Sequence, residues 1–369
     1  GNAMHPEFQQ LMNQATRLTR SGDLAAATAA IQAALRGGAT AAPAREDDAD
    51  VIDVEAWEIP EPAARSAKAT ATVDDVAPLA DKPATAGDTF TAGSFRNAGG
   101  HRSYKLYVPP NAGTEPRPLV VMLHGCTQDA DDFAAGTAMN QAARAQGFYV
   151  LYPVQSREAN PQKCWNWFKH NHQQRGRGEP EILAGMTRAV IDTHAIDPQR
   201  VYVAGLSAGG AMAAILAGAY PDLFAAAGVH SGLAAGVASD LPSALSAMKG
   251  AGIHAAGQAA SGVPTIVFHG DRDATVHPGN GPAVAAASVG ASAAVETCRM
   301  PGAGGKRHST RYLYRNPAGD IRAERWQIHG AGHAWAGGSV SGSYTDQSGP
   351  DASAEMLRFF FERSLGGQR

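Results

Sequence analysis

The sequence predicts an α/β fold in which a mostly parallel sheet is doubly wound, with helices on both faces. From residue 87 onward, short apolar runs alternate with longer helical stretches, and the runs are apolar on both faces, as buried parallel strands require. The runs are PLVVMLHG, GFYVLYP, RVYVAGLS, FAAAGVHSG, VPTIVFHG and ERWQIHG, and the helical stretches include residues 130–146, 179–194 and 208–219.

An antiparallel hairpin is predicted ahead of the first parallel strand. Residues Thr89–Phe95 and His101–Val108 alternate in polarity on either side of the turn sequence Asn97-Ala98-Gly99-Gly100. Alternation around a glycine-rich turn is typical of two strands that pair directly. We therefore expect this hairpin to open a domain that covers residues 87–369.

Residues 1–86 follow a different pattern. Gly1-Asn2-Ala3 are interpreted as a cloning remnant, and apolar residues at helical spacing up to Gly37 predict a small helical hairpin over residues 1–37. Residues 38–86 are rich in Ala, Pro, Asp and Glu, which favours a linker over a unit with its own core. The hairpin is interpreted as a docking appendage without chemistry, and binding of a partner is the alternative.

Composition excludes several classes of function. The chain is 44% hydrophobic and 18% charged with a net charge of −3, which is typical of a globular protein without preference for polyanions. No basic stripe indicates nucleic acid, and no apolar run is long enough for a membrane span. The segment after Met4 lacks the features of a secretory signal, so we expect a cytoplasmic protein unless a signal has been removed.

The segment VYVAGLSAGG carries the most informative motif. It places Gly205-Leu206-Ser207-Ala208-Gly209 between a predicted strand and a predicted helix, which is the context in which G-x-S-x-G presents a nucleophile. Glycines at both flanks leave room for a tight turn that lifts the Ser207 hydroxyl above the sheet. A dinucleotide loop is disfavoured, because G-x-G-x-x-G is absent here, and we expect no cofactor.

A serine nucleophile needs a histidine base and a carboxylate, and α/β-hydrolases supply them in the order Ser, Asp or Glu, His. After Ser207, the segment DRDATV offers Asp271 and Asp273. We favour Asp273 as the acid, since Asp271 directly follows the strand-ending glycine and belongs to the turn. His329 ends the last predicted strand, where a buried structural histidine is expected, whereas His333 lies in the following loop and is predicted to be the base.

Acyl transfer also needs two N–H donors aimed at the tetrahedral oxygen. We expect one to be the backbone N–H of Ala208, which follows the nucleophile. The other is expected from the loop after LVVMLHG, where the N–H of Cys126 is the best candidate. His124 and His269 share the strand-His-Gly pattern of His329, so all three are interpreted as structural.

The cysteines and a histidine pair leave alternatives open. Three cysteines are too few for a disulfide scaffold and lack zinc spacing, so all three are interpreted as reduced. A Cys126–Cys164 disulfide is the alternative, because both residues flank the predicted site. His170 and His172 are interpreted as part of a solvated loop, since no third ligand has suitable spacing, and we expect no metal.

Together, five separated segments resemble the esterases of the poly(3-hydroxybutyrate) depolymerase family. They are LHGCTQDADDFAAGT, CWNWF, GLSAGGAMA, FHGDRDATV and GHAWAGG followed by SYTDQSGPDASAEMLRFF, in the order of that family. The resemblance spans most of residues 87–365 and implies an α/β-hydrolase fold with Ser207, Asp273 and His333 as the triad. It also implies substrate-cleft roles for a set of residues: Cys164, Trp165, Asn166, Trp167 and Trp335.

We therefore predict a serine esterase that acts on hydroxyalkanoate esters, as oligomer or polymer. Because the family also includes feruloyl and acetyl-xylan esterases, a carbohydrate esterase is the alternative. Many members are secreted, which makes an extracellular location the alternative to the cytoplasm. Two further hypotheses remain. One is a serine peptidase, and the other is a non-enzymatic protein that docks on a polymer granule through the hairpin over residues 1–37.

Overall fold

A ten-stranded sheet organises the part of the chain that the computed structural model describes, which is residues 87–253, 262–289 and 294–368. These residues all belong to one unit, Leu79–Arg369. The predicted hairpin over residues 1–37 and the predicted linker over residues 38–86 lie outside the described residues.

The strands run in the order β1-β2-β4-β3-β5-β6-β7-β10-β9-β8. In this order, each neighbouring pair of strands from β4 through β10 is parallel. The outer pairs, which are β1–β2, β2–β4, β10–β9 and β9–β8, are antiparallel. Their bounds are β1 (Thr89–Asn97), β2 (Gly100–Val108), β3 (Arg117–Leu123), β4 (Tyr149–Val154), β5 (Ile196–Leu206), β6 (Ala226–His230), β7 (Thr265–Gly270), β8 (Ala294–Met300), β9 (Ser309–Arg315) and β10 (Ile321–Ile328). Two short pairs lie apart from this sheet: β11 (Trp335–Ala336) with β12 (Thr345–Asp346), and β13 (Arg363–Ser364) with β14 (Gly367–Gln368).

The helices alternate with the parallel strands along the chain. Their bounds are α1 (Ala130–Thr137), α2 (Met139–Gln146), α3 (Gly178–Thr193), α4 (Ala208–Ala219), α5 (Leu241–Met248), α6 (Asn280–Val289) and α7 (Ala352–Phe361), and His170–His172 forms a 3₁₀ turn. Of the helices in the described ranges, none has the length and apolar character that crossing a membrane requires.

Strand β3 shows why both faces of the sheet are covered. Leu119 and Val121 point to a hydrophobic cluster that includes residues of α3 and α4, whereas Val120 and Met122 point to a second cluster that includes residues of α1, α2 and α7. All four side chains are fully buried. Apolar residues are therefore needed at every position from Leu119 to Leu123, and the predicted doubly wound sheet with helices on both faces is confirmed.

Two local features differ from the sequence-based expectation. The helix expected over residues 130–146 is divided into α1 and α2 at Ala138, whose φ of 53° lies in the left-handed region. Strands β8 and β9 were not predicted, because charged residues interrupt both of them, and most of β8 is exposed while β9 is largely half-buried. They extend the sheet beyond β10 as an antiparallel edge.

Candidate active site

The turn between β5 and α4 holds Ser207 in a strained conformation. Its φ is 58° and its ψ is −119°, a combination that costs a non-glycine residue about 1–3 kcal/mol. A Cβ atom added to Gly205 would lie 2.3 Å from the backbone carbon of Gly209, and one on Gly209 would lie 2.0 Å from the carbonyl oxygen of Leu123. Both glycines are therefore required by the close approach of backbone on either side of the serine.

Asp273, which follows β7, is hydrogen-bonded to His333 in the loop after β10. The His333 Nδ1 atom lies 2.7 Å from Asp273 Oδ2, and the other carboxylate oxygen accepts hydrogen bonds from the N–H groups of Thr275 and Val276 at 2.9 and 2.8 Å. The Asp273 side chain is fully buried. Because Nδ1 of His333 faces the carboxylate, Nε2 is the nitrogen left for proton transfer.

A second histidine also contacts the Asp273 carboxylate. His269 Nε2 lies 3.3 Å from Asp273 Oδ2 and 2.8 Å from the carbonyl oxygen of Val276, so this nitrogen carries a hydrogen that faces two acceptors. Burial raises the pKa of Asp273, but the hydrogen bonds from His269 and His333 outweigh burial and hold that pKa well below its usual range. The carboxylate is therefore ionised at neutral pH. The sequence analysis interprets His269 as a structural residue and does not predict its contact with Asp273.

The turn after β10 directs the chain toward this carboxylate. Gly330 has a φ of 76°, and a Cβ atom added to Gly270 would lie 2.2 Å from the carbonyl oxygen of Ala331. The glycine at the end of β7 thus lets the loop that carries His333 pack directly against it. His329, which was expected to be buried, is in fact exposed, because β10 ends at Ile328 and His329 already lies on the surface.

His329 pairs with Asp271. Its Nδ1 lies 2.9 Å from Asp271 Oδ2, and its Nε2 lies 2.8 Å from the hydroxyl oxygen of Thr310. The other oxygen of Asp271 accepts the N–H of Gly330 at 2.7 Å. Partial burial raises the pKa of Asp271, but these hydrogen bonds outweigh burial and lower the pKa overall. Asp271 therefore holds the turn that precedes His333.

Trp335 anchors the far end of the same loop. Its indole ring stacks on the His230 ring with centroids 5.0 Å apart, and its Nε1–H donates to the hydroxyl oxygen of Ser353 at 3.1 Å. His230 Nε2 accepts the N–H of Ala336 at 3.0 Å, and burial lowers the pKa of His230 well below its ordinary value, which keeps the ring neutral. Trp335 is 1% exposed. The structure therefore places it in the core, which differs from the cleft wall implied by the family resemblance.

The loop after β3 lies directly beside the serine. A Cβ atom added to Gly125 would be 3.7 Å from the Cβ of Ser207. Gln128, which sequence reasoning missed, is buried, and its Oε1 accepts the N–H of Gly125 at 2.9 Å. Within the described ranges, the N–H groups of Cys126 and Ala208 donate to no acceptor. Both donors are thus available to a bound oxygen.

Cys126 is joined to Cys164 by a disulfide. The prediction that these two cysteines are reduced is therefore wrong, and the alternative of a Cys126–Cys164 disulfide is correct. The bond connects the loop after β3 to the loop that carries the CWNWF sequence. Cys298 is a free thiol.

The residues after Cys164 are buried rather than lining a cleft. Trp165 is 0%, Asn166 2% and Trp167 6% exposed. The Trp165 Nε1–H donates to the carbonyl oxygen of His124 at 3.2 Å, and both the backbone N–H and the side-chain amide of Asn166 donate to the buried carboxylate of Glu179 at 2.7 Å. In the structure these side chains support the disulfide-linked loops, a position different from the implied substrate contact.

Glu179 is the centre of a buried polar network that sequence reasoning did not find. Its carboxylate also accepts hydrogen bonds from Arg102 and Gln155, and its backbone N–H donates to His172 Nδ1 at 3.0 Å. His172 therefore serves as an acceptor at the start of α3. Across the ranges that the structure describes, no group of three or more His, Cys, Asp or Glu side chains is placed to hold a metal ion.

Comparison with known proteins identifies the family. The sequence model of the family described as esterase PHB depolymerase matches residues 102–309. Poly(3-hydroxyalkanoate) depolymerase C of Paucimonas lemoignei is 39% identical over an alignment of 186 residues, and the match covers 47% of this chain and 43% of the relative. Feruloyl esterase B of Thermothelomyces thermophilus is 36% identical over 140 residues, which is 38% of this chain and 47% of the relative.

The chain thus spans less than half the length of these two relatives. Among solved structures, an acetyl xylan esterase from Aspergillus awamori superposes with a TM-score of 0.55 at 22% identity, covering 66% of this chain and 94% of that enzyme. This likeness supports the α/β-hydrolase fold. The match to the family model covers more than half of the chain, and the chain therefore belongs to the PHB depolymerase family of esterases.

Proposed function

We propose that the protein is a serine esterase in which Ser207 is the nucleophile, His333 the general base and Asp273 the acid. The observation that carries this proposal is the buried Asp273–His333 hydrogen bond at the sheet edge where Ser207 follows the end of β5. Two N–H groups without acceptors, those of Cys126 and Ala208, support it as the oxyanion donors.

The proposed reaction has two halves. Nε2 of His333 takes the hydroxyl proton of Ser207 while Oγ attacks the ester carbonyl carbon, and the tetrahedral oxygen accepts the N–H groups of Cys126 and Ala208. Collapse breaks the bond to the alcohol oxygen, which receives the proton from His333, and an acyl-serine remains. Water then attacks the acyl carbon and gives a proton to His333, and a second collapse releases the acid and restores the serine hydroxyl.

The expected substrates are hydroxyalkanoate esters, as oligomer or polymer. The relative in Paucimonas lemoignei, whose name states a poly(3-hydroxyalkanoate) substrate, supports this class. A carbohydrate ester is the second candidate, favoured by the names of the feruloyl and acetylxylan esterases among the relatives. Docking to a polymer granule through residues 1–37 stays a prediction, because those residues lie outside the described structure.

Replacing Ser207 with Ala is the direct test. We expect hydrolysis of p-nitrophenyl butyrate to fall by about 10⁴-fold or more, because the nucleophile is removed while the fold is retained. Ser246→Ala, which changes an exposed serine of α5, is the matched control. Stopped assays with 3-hydroxybutyrate oligomers, methyl ferulate and acetylated xylan then rank the substrate classes. Full activity of Ser207→Ala on every active substrate would contradict the proposal.

A further inference from the structure

Residues 339–348, termed the rim loop, connect the loop that carries His333 to the loop that carries Cys126. On one side, the N–H of Trp335 donates to the carbonyl oxygen of Tyr344 at 2.7 Å. On the other side, the side-chain amide of Gln128 donates to the backbone and hydroxyl oxygens of Ser343, each at 3.2 Å. The rim loop therefore packs against both the loop of the proposed base and the loop that carries one proposed oxyanion donor, Cys126.

Tyr344 is the large side chain that this loop presents beside the site. It is 48% exposed, and its φ of 51° places a non-glycine residue in the left-handed region. Its phenolic oxygen lies 3.4 Å from the hydroxyl oxygen of Thr127, which directly follows Cys126. The tyrosine hydroxyl thus lies beside the residue that follows a proposed oxyanion donor.

The hydroxyl of Tyr344 makes a weak hydrogen bond to Thr127. The Thr127 hydroxyl donates to the carbonyl oxygen of Cys126 at 2.5 Å, so in its contact with Tyr344 the threonine oxygen acts as the acceptor. A separation of 3.4 Å is well beyond the usual 2.7–2.8 Å for two hydroxyl groups, which makes this hydrogen bond weak.

The rim loop does not need this contact for its position. The hydrogen bonds from Gln128 to Ser343 and from Trp335 to the backbone of Tyr344 already fix it. The phenolic O–H is therefore available to a better acceptor on a ligand.

We propose that Tyr344 is a specificity-determining residue that donates a hydrogen bond to a second oxygen on the acyl part of the substrate. The inference rests on the proposed function, in which Cys126 holds the carbonyl oxygen of the ester. In this assignment the Tyr344 hydroxyl, which contacts the residue after Cys126, serves the acyl side of that carbonyl. A hydroxyl or ester oxygen a few bonds along the acyl chain would be the acceptor, and a plain alkanoyl chain offers none.

The test compares two esters that differ in one oxygen, p-nitrophenyl 3-hydroxybutyrate and p-nitrophenyl butyrate. We expect Tyr344→Phe to lower kcat/KM for the hydroxy ester about fivefold more than for the butyrate ester, as loss of one hydrogen bond predicts. The change should be mainly in KM if the bond forms equally in the bound ester and the transition state. Tyr312→Phe is the matched control: it removes a hydroxyl on β9 that donates to Gln327 of β10 at 3.3 Å, and it should leave kcat/KM for both esters unchanged.

The outcomes separate this inference from the proposed function. If Tyr344→Phe leaves the ratio of kcat/KM for the two esters unchanged while Ser207→Ala abolishes activity, the role of Tyr344 is overturned and the serine mechanism stays intact. An equal loss on both esters also overturns it, since that result indicates a structural tyrosine. A wild type that hydrolyses neither ester, or a Ser207→Ala variant that hydrolyses both, overturns the proposed function and this inference with it.

Discussion

Two aspartate–histidine pairs lie where β7 and β10 end, and their hydrogen bonds are nearly the same length. The inner pair, Asp273 and His333, is joined at 2.7 Å, and the outer pair, Asp271 and His329, at 2.9 Å. The two pairs differ in how much of each side chain is exposed to solvent. The carboxylates are 0% and 28% exposed, and the imidazoles are 12% and 42% exposed.

The difference shows that two Asp–His hydrogen bonds of similar length can lie in very different environments. Water screens the outer pair, where an ion pair contributes little, while the inner carboxylate sits in a low dielectric. The inner carboxylate is also fixed by the N–H groups of Thr275 and Val276 and by His269, whereas the outer one holds the turn at Gly330. Burial and the added donors are the features that suit the inner pair to the role proposed for it, which is to orient His333 as the base.

The largest expected effect comes from breaking each pair in turn. Asp273→Asn should lower kcat for p-nitrophenyl butyrate by about 10³–10⁴-fold, because the amide no longer orients His333 or stabilises its protonated form. Asp271→Asn, the same change two residues away, should cost less than about tenfold. Steady-state kinetics of the two variants, with circular dichroism to verify folding, make the measurement. Equal losses in the two variants would remove the distinction between the pairs.

A smaller effect is expected in the pH dependence of stability. The pKa of Asp273 is lowered in the folded protein, so its ionised form contributes stability that is present above the unfolded pKa of about 3.9 and is lost as the pH falls through the folded value. The difference in unfolding free energy between wild type and Asp273→Asn should therefore shrink from about pH 5 downward. Urea unfolding followed by tryptophan fluorescence at several pH values measures it. The difference in unfolding free energy between wild type and Asp271→Asn should also shrink at low pH, but by a smaller amount, because that carboxylate is partly exposed. A larger change for Asp271→Asn than for Asp273→Asn would contradict the assignment of Asp273 to the inner, buried pair.

Much of the fold and the proposed triad could be predicted from local sequence. Runs apolar at every position predict buried parallel strands, and the position of Ser207 in its turn follows from two glycines whose neighbours leave no room for a Cβ atom. The choice of Asp273 over Asp271 follows from its distance beyond the end of β7.

What could not be predicted depends on contacts between distant parts of the chain. A tryptophan beside a catalytic motif fits a cleft wall and a core equally well, and the stacking of Trp335 on His230 decides for the core only after β6 and the His333 loop meet. Gln128 and Tyr344 acquire their positions when the rim loop packs on the loop after β3. The contact between Thr127 and Tyr344 spans 217 residues, which no local pattern encodes.

The most direct test of the serine mechanism is covalent labelling with a fluorophosphonate, which an activated serine attacks with loss of fluoride. Peptide mass spectrometry should find one adduct per chain, on Ser207. Labelling of Asp273→Asn should be at least about 100-fold slower than that of the wild type, and labelling of Asp271→Asn within about tenfold of it, because in the proposed mechanism the inner pair activates the nucleophile. An adduct on another residue, or equal slowing in the two variants, would contradict the assignment of Ser207, His333 and Asp273.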